Sequence, residues 1–133
     1  MQELNDLLKD AASISVYTEG SKAEYPRGSA RYDALADAWK KMTEKAVRMP
    51  AFGVSIDKLT REELKKGTWM EFCFDKEQAC AGMPFERLLL KVCPDYMGFN
   101  AVRCVQGKYE GRCFYVDLRG GNMECLAEEA KRG

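Results

Sequence analysis

Six residues in the second half of the chain could do chemistry together if folding brought them to one surface: Trp69, Glu71, Arg87, Arg103, Tyr115 and Asp117. The two guanidiniums offer planar forks of donors that suit a carboxylate or phosphate. The carboxylates and the phenol can orient polar groups, and the indole can stack on a planar one. Such a set could hold a small anionic or planar ligand. The commoner meaning of the same pattern is a solvated sheet face laced with weak cross-strand ion pairs.

Other chemistry is more restricted. The chain has no histidine, so neither a Ser-His-Asp nor a Cys-His arrangement can be built. Its six cysteines, Cys73, Cys80, Cys93, Cys104, Cys113 and Cys125, contain no Cys-x-x-Cys pair and match no zinc module. The start, Met1-Gln2-Glu3-Leu4-Asn5-Asp6, lacks the basic and apolar regions of a secretory signal. Reduced thiols in a cytoplasmic protein are therefore expected, several of them acting as small hydrophobes on strands. Cys80 and Cys93 are expected to be the most exposed. Activation needs a nearby cation; Lys91 is close to Cys93 in sequence, while Glu77 opposes Lys76 near Cys80. Ordinary thiols fit both positions better than nucleophiles.

Arg27-Gly28-Ser29 precedes a helix and could offer N–H groups to a phosphate. Nearly every capped helix offers as much, and the spacing is not that of a P-loop. Arg112-Cys113-Phe114-Tyr115-Val116 superficially resembles an RNA-binding strand. Phe114 and Tyr115 are neighbours, however, and point to opposite faces, whereas stacking aromatics share one. Lys plus Arg and Asp plus Glu both number 21, for a net charge of zero. That removes the electrostatic excess that nucleic acids and anionic membranes select. No run approaches the roughly 20 apolar residues of a membrane span. No catalytic residue, cofactor or metal ligand is assigned.

The elements that must position these residues centre on Thr68 to Arg119. Met70, Phe72 and Phe74 alternate with Trp69, Glu71 and Cys73; Leu88, Leu90 and Val92 alternate with Arg87, Leu89 and Lys91. Ala101–Gln106 and Arg112–Arg119 follow, the latter with Phe114, Val116 and Leu118 on one face. The loop Gly107-Lys108-Tyr109-Glu110-Gly111 signals a hairpin. Its symmetry predicts Gln106 opposite Arg112, Cys104 opposite Phe114, and Arg103 opposite Tyr115. Glu71, Leu89, Arg103 and Tyr115 then form one row of a mixed face. Arg87 lies diagonal to Glu71, and Asp117 diagonal to Arg103. Short connections make the four strands an antiparallel meander.

Leu4, Leu7, Leu8 and Ala11 space a short helix, and Ile14 and Val16 a strand from Ser13 to Glu19, expected at a sheet edge. Gly20 to Gly28 reads as a polar loop. Ser29 caps the longest helix, whose stripe Tyr32, Leu35, Ala36, Trp39, Met42 and Ala46 should cover the apolar sheet face. That helix should end near Arg48, because Pro50 disfavours helix at Met49. Phe52, Val54 and Ile56 suggest a short strand. Thr60 and Glu63 form a capping box, with Leu59 and Leu64 as its staple and Gly67 as the helix stop. Asn122 caps a last helix with the stripe Met123, Leu126, Ala127 and Ala130.

The chain thus reads as a single α+β domain over residues 1–133: an antiparallel β-meander of four or more strands with amphipathic helices packed on one face. A small non-enzymatic binding or interaction protein is the preferred function, its partner being itself in a homodimer or another protein. The alternative is a small enzyme or ligand-binding domain using the mixed face.

Overall fold

The computed structural model describes residues 1–50 and 53–132. In chain order its elements are α1 (Gln2–Leu8), β1 (Ser13–Thr18), β2 (Ser21–Pro26), α2 (Ala30–Met42), β3 (Val47–Met49), β4 (Val54–Ser55), α3 (Asp57–Glu63), β5 (Thr68–Cys80), β6 (Met83–Val92), β7 (Gly98–Cys104), β8 (Gly111–Arg112), β9 (Phe114–Asp117) and α4 (Glu124–Lys131). Seven strands form one sheet in the order β2-β1-β5-β6-β7-β9-β3, and β4 pairs with β8 beside it. Every pairing is antiparallel. The expected meander is its centre, β5-β6-β7-β9, and the α+β class holds.

The first face of the sheet buries the apolar alternation. Ile14, Val16, Met70, Phe72, Leu88, Leu90, Phe114 and Val116 meet Leu35 and Trp39 of α2 and Leu126 and Ala130 of α4 in one cluster. Ser29 accepts the Tyr32 N–H at 3.2 Å and starts α2 as expected. The Trp39 ring stands edge-on to Phe72 with centroids 5.0 Å apart, so the long helix covers the sheet by the stripe read from its spacing. At α4 the N-cap is Met123 rather than the expected Asn122, which lies one residue earlier and accepts the Glu124 N–H at 3.0 Å.

Four local expectations are overturned. Residues expected to form a polar loop are instead strand β2, so β1 is interior and β2 is the edge. The helix α2 ends at Met42, well before Arg48. Thr43 Oγ donates back to the Trp39 carbonyl at 2.8 Å, and Val47–Met49 leaves to pair with β9. The capping box does not form, because Thr60 lies inside α3, whose N-cap is Ile56. Asp57 in the first turn is bonded by Tyr109 and Arg61, which fixes where this helix begins. Gly67 lies beyond the C-cap Leu64, with φ of +75°, and shapes the turn into β5 rather than capping α3. Of the short alternating segment, Val54 is in β4 and Phe52 lies outside the described residues.

The hairpin register also differs. Phe114 faces Ala101 and Tyr115 faces Asn100. The tight turn is at Gln106 and Gly107, both at positive φ, closed by a bridge between Val105 and Lys108. Gly111–Arg112 then pairs with β4 instead of β7. This excursion uses residues that a symmetric loop would have put in the ladder. The slip is by an odd number of residues, so it reverses which face a given side chain takes. Gly98 belongs to the new register: a Cβ there would sit 2.8 Å from the Val116 carbonyl and 3.0 Å from the Tyr115 hydroxyl. Only glycine allows that approach.

Candidate functional site

On the second face of the sheet, Tyr17, Trp69, Leu89 and Cys104 from four adjacent strands form a small apolar cluster with Tyr109, against which the partly buried Leu64 and Val102 pack. Glu71 sits among them, fully buried. A buried carboxylate must be hydrogen-bonded. Tyr17 donates its hydroxyl to one oxygen at 3.0 Å, and Tyr109 donates to the other at 2.5 Å. Burial first, and the Glu71 charge second, push both phenols far above their ordinary pKa. Both remain donors across the working pH range.

Tyr109 reaches Glu71 because the positive-φ turn at Gln106 and Gly107 folds its loop over the sheet. The same residue ties down α3. Its N–H donates to Asp57 at 2.8 Å, and Arg61 Nε meets both Asp57 oxygens at 3.0 Å. Arg61 Nη2 donates to the Gly107 carbonyl at 2.7 Å, and its guanidinium stands 5.2 Å over the Tyr109 ring. The Tyr109 N–H, then Arg61, hold the Asp57 carboxyl below its usual pKa. A polar chain thus runs from the sheet through a loop to α3, whose only buried helical residue is Thr60.

Between β4 and α3 on one side and the sheet on the other lies a groove of about 350 Å³. Val54, Ile56 and Leu59 form one wall; Tyr96, Asn100 and Val102 form the other; Trp69 is buried at its base; Lys91 and Glu63 border it. Five large apolar side chains are exposed among the described residues, from Tyr96 at 38% to Val54 at 71%. Four of them, Val54, Ile56, Leu59 and Tyr96, line this groove, and Met97 follows in sequence.

A larger groove of about 740 Å³ separates α1 from α2. Its central polar atoms satisfy one another. Trp39 Nε1 donates to Asn5 at 2.9 Å, and Asn5 Nδ2 donates to Thr43 at 3.3 Å. It displays none of the exposed large apolar residues, so size alone does not make it the better candidate.

Of the six residues singled out in the sequence, Trp69 lines the first groove. Its Nε1 donates to the Lys66 carbonyl at 2.8 Å. Glu71 is sealed beneath the tyrosines, and Arg87 is exposed diagonally from it, opposite Cys73 and Cys104. Tyr115 and Asp117 keep to the second face, beyond β7 and next to β3. Arg103 is a correction: it pairs with Leu88 and so takes the first face, because of the register slip. It is buried and donates to the carbonyls of Arg112 and Pro84, both at 2.7 Å. Burial depresses its pKa, opposed by the nearby Cys113. It is bound to backbone and does not form the expected row with Tyr115.

The thiols also depart from expectation. All six cysteines are free, but Cys80 is buried, donating to Glu3 at 3.0 Å, and Cys93 is half-buried; Cys125 is the exposed one. Burial first, and then the Glu3 hydrogen bond, push the Cys80 thiol up to about 11, which leaves it protonated and unreactive. Among the described residues no three metal-type side chains converge on a metal site, and no helix is long and apolar enough to cross a membrane.

Sequence reasoning missed Tyr17, Tyr109 and the groove wall. Tyr109 was hidden inside the hairpin loop, and Leu59 in a staple that does not form. A usable signal was the apolar run Val54, Ile56, Leu59, which is more apolar than a surface segment requires. No protein-family model, curated protein sequence or solved structure matches this chain.

Proposed function

We propose that this is a non-enzymatic binding protein whose groove between α3 and the second sheet face receives an apolar surface of a partner. The observation that carries this reading is the concentration of exposed apolar side chains at one place: four of five line a single groove. Monomeric surfaces rarely gather such residues unless something covers them. A site with a tryptophan at its base, one cation and one anion at its border, and no poised acid, base or nucleophile suits binding rather than bond-breaking. The polar chain from Glu71 to Asp57 and Arg61 gives the wall a rigid support.

The alternative, a small planar or anionic ligand, draws support from Trp69 and Lys91, which border the same groove. Its volume is at the lower end for such ligands.

Methyl NMR tests the reading. Titration with the amphiphilic anion anilinonaphthalene sulfonate, whose aromatic rings seek apolar surface, should shift the methyl signals of Val54, Ile56 and Leu59. Shifts confined to Met1 and Leu8 would move the binding surface to the groove between α1 and α2.

A further inference from the structure

We infer that the occupant of this groove is a second copy of the chain, related by a two-fold axis, so that the Ile56–Leu59 ridge of each copy enters the groove of the other. The inference rests on the groove being a binding surface.

The first support is shape. A two-fold interface uses the same patch on both partners, so that patch must be complementary to itself. Here Val54, Ile56 and Leu59 stand in solvent directly beside a hollow based on buried Trp69. Knob and hole lie on one surface.

The second support is charge. Lys91 borders the groove from the sheet and Glu63 from α3, both exposed. Neither forms an ion pair within the chain among the described residues. A two-fold axis brings Lys91 of one copy to Glu63 of the other, twice. The zero net charge adds no long-range repulsion between copies.

The third support is that the sheet edges are poorly suited to association. The outer strand β2 carries Lys22, Glu24 and Pro26, and β3 is three residues long with Pro50 after it. Charged side chains, proline and short length all oppose strand addition. The apolar surface is on the face instead. The five exposed side chains present on the order of 500 Å² per copy, close to the apolar share of a standard interface.

Sedimentation equilibrium on the full chain, from about 1 to 200 µM, tests this. A reversible dimer is expected. Leu59→Asp should raise its dissociation constant at least about 30-fold, as loss of a central contact does, with an unchanged circular dichroism spectrum. Lys91→Glu and Glu63→Lys should each weaken the dimer. An equimolar mixture of those two variants should recover it, because the mixed pair regains both opposite-charge contacts. That mixture decides the matter even if Leu59→Asp fails to fold. A chain that stays monomeric, or a dimer that none of these changes weakens, overturns the proposal. If the chain stays monomeric but still binds anilinonaphthalene sulfonate at Val54, Ile56 and Leu59, the groove stands and only the second copy is lost. If it stays monomeric and binds no probe there, both readings are lost.

Discussion

The two faces of the sheet are covered by different means. On the first, α2 and α4 lie across the strands, and Leu35, Trp39 and Leu126 interlock with Phe72, Leu88 and Phe114. The burial is continuous and almost wholly apolar. On the second, a short helix and a loop reach over only part of the sheet. They are held by a polar chain, Glu71 to Tyr109 to Asp57 and Arg61, whose every link is a hydrogen bond. What this cover leaves open is the groove. The amphipathic α2 and α4 close their face mainly by apolar burial, with Arg31 of α2 donating to Glu129 of α4 at 2.6 Å. A seven-residue helix with one buried side chain has too little apolar area for that and must be tied down. The first face therefore accounts for most of the stability, and the second leaves apolar surface for a partner.

The largest effect is expected at Trp39. Trp39→Ala should lower the unfolding free energy by about 3–5 kcal/mol in urea titrations, since it removes a buried aromatic between helix and sheet. A loss below about 1 kcal/mol would mean that α2 does not carry the first face.

Arg103 is the polar exception on that face. Arg103→Ala should cost about 2–4 kcal/mol by leaving the Pro84 and Arg112 carbonyls unpaired. Arg103→Lys should recover little, because an ammonium lacks the fork that serves both. Full recovery by Lys, measured in the same titration, would refute the geometry.

On the second face, Tyr109→Phe should cost about 1–3 kcal/mol, because Glu71 loses a donor while buried. The pH dependence follows from the two phenols. Their folded pKa values are raised above the unfolded value of 10.0, so their contribution is complete below that pH. As pH climbs past it the unfolded chain ionises first, and stability falls. Tyr109→Phe should flatten that alkaline decline in denaturation midpoints recorded at rising pH. An equally steep decline would show that Tyr109 does not contact Glu71.

The smallest effect belongs to the groove. Leu59→Ser should change the stability of the monomer by no more than about 0.5 kcal/mol, as exposed substitutions do. A loss above about 2 kcal/mol at low protein concentration would show Leu59 to be core rather than surface.

Much of the first face was readable from spacing, because helix and strand periods are local properties of the chain. The Ser29 cap, the α2 stripe, and the alternations of β5 and β6 were all present in the order of residue types. So was the net charge of zero. What the order of residues left undecided depended on contacts distant in sequence. Strand β2 is polar and reads as a loop until β1 supplies a ladder for it. The start of α3 depends on Tyr109, far along the chain. The register of β7 and β9 turned on whether Gly111 and Arg112 would pair with β7 or with β4, which no local pattern encodes. That choice sent Arg103 to one face and left Tyr115 on the other. A side chain's type is set by the sequence, whereas its neighbours are set by the closure of loops and ladders, and a binding surface is made of neighbours.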